Sequence, residues 1–146
     1  MSTIRPELIA VTSIRILKSN INTTDEYMEN PLSHDGVEVK MGQQTAFQLE
    51  EKNVRIRLSL ELVAKRNQNE PVGLTGDYLL EFILHVDNLD EFIVENNDIS
   101  KSIDIALNST LIGIIFSTAR GIIYERTAAT LLNGVILPVI APTQLI

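Results

Sequence analysis

Val54-Arg-Ile-Arg-Leu-Ser-Leu-Glu-Leu62 alternates apolar and polar residues without a break. A period of two places Val54, Ile56, Leu58, Leu60 and Leu62 on one side of a strand and Arg55, Arg57, Ser59 and Glu61 on the other. A strand divided this way belongs to an antiparallel sheet with one buried face. Upstream, Val37, Val39, Met41, Phe47 and Leu49 keep odd positions, weakened by Gly42-Gln-Gln44. Glu50-Glu-Lys-Asn53 reads as a tight turn, so these two runs form a hairpin. Downstream, Asn67-Gln-Asn-Glu-Pro-Val-Gly73 reads as the next turn. After it, Leu80, Phe82, Leu84 and Val86 alternate with Leu79, Glu81, Ile83 and His85. Leu8 to Leu17 supplies the remaining strand, apolar enough on both sides to be partly covered twice. Asn20 to Gly36 reads as a long crossing loop between strands one and two.

From Ser100 the period changes to that of a helix, with Ile103, Leu107, Leu111, Ile114, Ile115, Ile122 and Ile123 recurring at helical spacing. Asn133-Gly134 supplies a helix stop, Pro138 and Pro142 forbid continuation, and Asn108-Ser109-Thr110 offers an interruption or a second N-cap. The fold class is therefore α+β: a four-stranded antiparallel meander with a long crossing loop between strands 1 and 2, followed by a long C-terminal helix. Ser109, Gly113, Ser117 and Gly121 stand four residues apart along one helical stripe. Glycine costs a helix interior about 0.5–1 kcal/mol relative to alanine, so a close contact must compensate. The contact is either with the chain's own sheet or with the helix of another subunit. Apolar residues on more than one strand face favour the second, and with it an obligate oligomer.

Length and composition fit one domain spanning residues 1–146: 45% of residues are apolar and 21% charged. The net charge of −7 argues against a nonspecific nucleic-acid binder and against docking on anionic lipid. Residues 67–146 hold three bases and ten acids, which accounts for all of it. Nine of those acids lie between Glu70 and Asp104 and form either a solvated face or a docking surface for a basic partner. Met1 to Glu7 does not read as a secretory signal, and Leu111-Ile-Gly-Ile-Ile-Phe116 is too short an apolar run to span a bilayer. These features predict a soluble cytoplasmic protein with no direct membrane insertion.

The chemistry-bearing residues are sparse. The absence of cysteine removes disulfides, thiolate metal sites and cysteine nucleophiles. Of two histidines, His34 sits in a His-Asp-Gly turn and His85 lies mid-strand, and neither has a metal-ligand set around it. Asp87, Asp90, Glu91 and Asp98 lack calcium-loop spacing, and neither a phosphate-cradling glycine loop nor a nucleophile elbow occurs. The sequence reads as a non-enzyme with no catalytic residues, no metal and no cofactor.

Leu111-Ile-Gly-Ile-Ile-Phe-Ser-Thr-Ala-Arg-Gly-Ile-Ile123 followed by Asn133-Gly-Val-Ile-Leu-Pro-Val-Ile140 resembles the SecB export chaperones. That family carries a Phe-Pro-Tyr-Ala-Arg-Glu helix, an Arg-Gly turn and a Leu/Pro-rich extended segment, matched here at Phe116, Ala119, Arg120, Gly134, Leu137 and Pro138. The resemblance implies a cytoplasmic, nucleotide-independent holdase for unfolded polypeptides, assembled as a dimer of dimers and serving protein export or a toxin–antitoxin pair. It implies client contacts at Ile16, Ile21, Tyr27, Met28 and Leu32, and docking on the motor ATPase SecA through Leu79 and Glu81. The family's first-strand acids have no counterpart, since Lys18-Ser-Asn-Ile-Asn-Thr23 stands in their place, which counts against SecA. The family continues into a helix that lids the client groove, whereas this sequence ends at Gln144-Leu-Ile146, implying a groove that is more open or completed by something else. The rival reading is a non-catalytic scaffolding oligomer with the same fold and no client binding.

Overall fold

The computed structural model describes residues 3–96 and 100–145; Asp98 of the acidic stretch and the terminal Ile146 lie outside them. Four long strands form one antiparallel sheet: β1 (Ile9–Thr23), β2 (Gly36–Gln48), β3 (Asn53–Arg66) and β4 (Glu70–Val86). Their order is β1-β4-β3-β2, so β2, β3 and β4 follow one another as hairpins while β1 lies on the far side of β4. A segment containing a short helix, α1 (Asp25–Glu29), makes the crossing. A small hairpin, β5 (Ile93–Glu95) and β6 (Lys101–Ile103), then leads into α2 (Ile105–Ala128).

The alternation in β3 sets the core. Val54, Ile56, Leu58, Leu60 and Leu62 are all buried, and β4 sets Tyr78, Leu80, Phe82 and Leu84 beside them on the same face. Leu107, Leu111, Ile112, Ile115, Phe116, Ala119 and Ile123 of α2 join that cluster from above. The helix lies obliquely over the sheet. Near its start the Asn108 and Thr45 side-chain oxygens lie 3.4 Å apart, which brings it to the β2 edge. Just past its end Leu132 closes on Gly76 of β4, beside Ile21 of β1.

Several boundaries differ from the sequence reading. Strand β1 runs on to Thr23, because Lys18 to Thr23 pairs with Leu79 to Leu74 of β4; the crossing loop therefore begins at Thr24, and Ile21 belongs to the sheet. The turn after β3 covers only Asn67–Asn69, with Asn67 and Gln68 in the left-handed region at φ 51° and 75°. Gly73 is already inside β4, at φ 91°. Helix α2 is continuous through Asn108-Ser109-Thr110 and ends at Ala128, before Asn133-Gly134. That pair instead forms a left-handed turn, φ 59° and 84°, which sends the Gly134 amide back to the Thr127 carbonyl at 3.0 Å. By length and composition α2 would also cross a membrane, although no unbroken apolar run in the sequence does; here one side of it caps the sheet.

Candidate functional site

The crossing segment is fastened to the start of β4. The Thr24 amide donates to the Gly73 carbonyl at 2.9 Å, and Thr24 Oγ1 accepts from the Tyr27 amide at 3.1 Å, capping α1. Gly73 is required there: a Cβ would run into the Thr24 side chain, and the backbone is left-handed. Tyr27, Leu32, Val72 and Gly73 line a cavity of about 280 Å³ beneath this segment. The five sequence-predicted client residues are thereby partly assembled. Tyr27 is only 8% exposed and Leu32 half-buried, while Met28 stands out at 67% exposure. Ile16 and Ile21 are half-buried on β1 and pack against the core from the sheet side.

Pattern reading missed part of the apolar surface. Val11, Ile14 and Leu17 on β1 remain more than 40% exposed, because β1 is an edge strand beyond the reach of α2. Beyond the helix, Leu131, Ile136 and Val139 are exposed, the last at 83%, while Leu132, Val135 and Leu137 are buried. The alternation Val135, Ile136, Leu137 was a usable signal for a segment with one covered and one bare side.

The four-residue stripe on α2 divides into two halves. Gly113 faces the chain's own C-terminal segment, where a Cβ on it would meet Pro142 at 3.5 Å, and Ser117 lines the same small cavity beside Val139 and Pro142, while Ser109 is half-buried. Ser117 and Gly121 are exposed, and a Cβ on Gly121 would meet nothing within 4 Å. Nothing inside the protomer therefore calls for glycine at position 121. Ile114 and Tyr124 are exposed apolar residues of the same helix.

On the opposite side of the sheet, Glu81 is drawn between two arginines. The register sets Arg15 of β1 and Arg57 of β3 directly across from it. Oε1 accepts from Arg15 Nε at 2.9 Å and from its Nη2, and Oε2 accepts from Arg57 Nε at 3.0 Å. The Glu81 side chain is 2% exposed. Hydrogen bonds from Arg15 first, then from Arg57, hold its carboxyl below the usual carboxylate range. Leu79 is half-buried on the same face. Three of the acids around Glu81 have partners of their own: Glu70 pairs with Arg66, Asp77 accepts from Asn22, and Asp87 meets His85. Asn53 Oδ1 lies 3.3 Å from the other His85 ring nitrogen, Nδ1. Among the described residues no group of three or more His, Asp or Glu is placed to hold a metal.

A four-stranded antiparallel sheet in the order β1-β4-β3-β2, capped by a long C-terminal helix, is a SecB-like fold. Among solved structures, the chain is similar to a SecB-like chaperone from Mycobacterium tuberculosis in complex with a peptide from an antitoxin. The identity is 14%, the TM-score 0.57, and 92% of each chain is covered. It is also similar to a protein of unknown function from Streptococcus agalactiae, at 14% identity and a TM-score of 0.45 over 90% of this chain and 97% of that one. No protein-family pattern matches the sequence, and no curated protein matches it.

Proposed function

We propose that the protein is an ATP-independent holdase that binds unfolded polypeptide segments on apolar surface, as a cytoplasmic homo-oligomer. The observation that carries this reading is uncovered apolar surface on the edge of a SecB-like sheet, Val11, Ile14 and Leu17, with Met28 exposed separately on the crossing segment. Each Å² of such surface that a client removes from water favours binding by about 25 cal/mol. The free backbone edge of β1 adds N–H and C=O groups with which an extended segment can pair. The mycobacterial neighbour's complex with an antitoxin peptide supports short segments of that kind as clients, from a toxin–antitoxin pair or an export precursor. Ile16, Ile21 and Leu32 form the floor of this surface, and Tyr27 joins it only when the crossing segment lifts from Gly73.

Self-association takes the outer side of α2, where Gly121 and Ser117 let a second backbone approach and Ile114 and Tyr124 supply apolar contact; a dimer of dimers satisfies both halves of the reading. SecA is left out of the proposal, because Glu81 is enclosed by its two arginines and offers no free acid. The rival reading, a scaffolding oligomer without clients, draws on the Thr24–Gly73 and Tyr27–Thr24 hydrogen bonds, which fasten the crossing segment over the start of β4. Aggregation of a reduced, unfolded client separates the two. Protection at equimolar oligomer, weakened by Ile14→Ser and Met28→Ser together, is the holdase result; no protection leaves the scaffold.

A further inference from the structure

The outer face of the sheet runs against the charge of the whole chain. The protein carries a net charge of −7, yet four of its twelve bases, Arg15, Lys18, Arg55 and Arg57, occupy neighbouring rows of this face. The register defines the rows. Lys18, Leu79, Ser59 and Gly42 align across the four strands; so do Arg15, Glu81, Arg57 and Gln44; and so do Ser13, Ile83, Arg55 and Ala46. Glu81 is the only acid in the three rows, and it is fully used in drawing the Arg15 and Arg57 guanidiniums together. No described residue takes the remaining N–H groups of these two arginines, and Lys18 and Arg55 make no hydrogen bond or ion pair with any described residue. The three rows therefore carry an excess of three positive charges on a rigid, strand-built surface.

The face also has relief. On one side of the Arg15–Glu81–Arg57 row lies a depression of about 430 Å³ bordered by Lys18, Gly42, Ser59 and Leu79, and at its far end by the next row, where Lys40 pairs with Glu61 and Asp77 adds one negative charge, so that the four rows together keep an excess of two positive charges. On the other lies one of about 440 Å³ bordered by Ala46, Asn53, Arg55 and Ile83. Small residues make the hollows, half-buried Leu79 and Ile83 provide an apolar wall in each, and each has one unpaired cation on its rim.

We propose that this face binds a short extended acidic peptide of the pattern apolar-x-acidic-x-apolar. Side chains i, i+2 and i+4 of an extended chain point the same way at intervals of about 6.6 Å, the interval that separates Leu79, Glu81 and Ile83 along β4. A peptide laid along β4 thus sets its two apolar side chains in the two depressions and its central carboxylate over Arg15 and Arg57. The forked guanidinium suits a carboxylate, which it binds through paired hydrogen bonds. Lys18 and Arg55 draw flanking acids. Nucleic acid fits this face less well: the net charge repels a polyanion, and the three rows contain no aromatic side chain for bases to stack on. The proposal concerns the side of the sheet away from α2 and stands apart from the holdase reading.

The test is fluorescence anisotropy at low salt with a labelled peptide centred on Leu-Ser-Glu-Ser-Leu, against the same peptide with Gln or Lys in place of Glu, and against oligothymidylate. The Glu peptide is expected to bind about tenfold more tightly than the Gln form and to weaken as salt rises. Lys18→Glu with Arg55→Glu, two exposed side chains without partners, is expected to weaken it at least as much, while circular dichroism and aggregation suppression stay unchanged. Equal binding of the Glu, Gln and Lys peptides overturns the proposal, as does undiminished binding to the double variant or no binding to the unmodified protein. Tighter binding of oligothymidylate, or self-association without peptide that the double variant abolishes, overturns it too, assigning the face to polyanions or to a second copy.

Discussion

Thr127→Val tests how the chain turns back after its long helix. Thr127 is fully buried, one residue before the end of α2. Its hydroxyl donates to the Ile123 carbonyl at 2.7 Å and accepts from the Val135 amide at 2.7 Å. The second bond fastens the outgoing segment to the helix and sets Val135 and Leu137 into the core. Valine matches threonine in shape and keeps the methyl contacts, so the change isolates the hydroxyl. Losing the bond to Ile123 costs little, since that carbonyl keeps its place in the helix; a typical net hydrogen bond is worth about 1 kcal/mol. Losing the acceptor leaves a buried backbone donor unpaired, at about 1–3 kcal/mol. The expected total is about 2–4 kcal/mol, or roughly 8–16 °C in Tm at about 4 °C per kcal/mol for a chain this size. Urea unfolding followed by circular dichroism at fixed protein concentration measures it, with Thr118→Val, exposed on the same helix, as reference within about 0.5 kcal/mol. Thr127→Ser, which keeps the oxygen and drops the methyl, is expected to lose about half as much. If Thr127→Val costs no more than Thr118→Val, the hydroxyl does not hold the turn and the argument fails.

Gly73→Ala is expected to destabilise by about 2–4 kcal/mol, since it combines a left-handed backbone with a collision against Thr24; a smaller loss in urea unfolding would mean that the crossing segment is not clamped there. Gly121→Ala is expected to raise helix stability by about 0.5–1 kcal/mol in an isolated protomer but to weaken the oligomer, which light scattering across a dilution series reads directly; a stabilised oligomer of unchanged size would remove α2's outer side from the interface. The Glu81 carboxyl titrates below its unperturbed value of 4.5, so its stabilisation is present above that pH and is lost as pH falls through the depressed value. Urea midpoints of the unmodified protein are therefore expected to drop more than those of Glu81→Gln between about pH 6 and pH 3, and parallel pH curves would contradict the Arg15–Glu81–Arg57 geometry.

The parts of the fold that show in the sequence are those in which side chains report burial. Strand β3 alternates cleanly because one face meets α2 and the other meets water, and all five of its apolar alternates are buried. Residues Lys18 to Thr23 carry no such signature. They lie at the end of an edge strand and are held by backbone pairing to β4, which leaves the side chains free to be polar. The helix end was misplaced for a related reason: Asn133-Gly134 has the chemistry of a stop, but the chain uses it to finish a turn that Thr127 begins. The Arg15–Glu81–Arg57 cluster was out of reach of pattern reading. Its members lie 66 and 24 residues apart, and they become neighbours only once β1 is known to sit beside β4 rather than β2. A carboxylate that looks available in sequence is therefore enclosed in the fold, and the face around it has the opposite sign from the surrounding acidic stretch.

Geometry explains why apolar surface remains. Strands of 13 to 17 residues at about 3.3 Å each, four abreast at about 4.8 Å, give a sheet face of roughly 800–1,100 Å². Helix α2, with 24 residues, is about 36 Å long and about 10 Å wide, so it shades less than half of that face. The turn at Leu89 and Phe92 and the segment at Leu132, Val135 and Leu137 cover much of the rest, and what stays bare falls along the β1 edge. Val11, Ile14 and Leu17 there are 41%, 45% and 42% exposed, so each keeps part of its surface against the protomer and leaves the rest in water. On the proposed holdase reading, this bare apolar strip and the unpaired backbone edge beside it are where a client segment would dock.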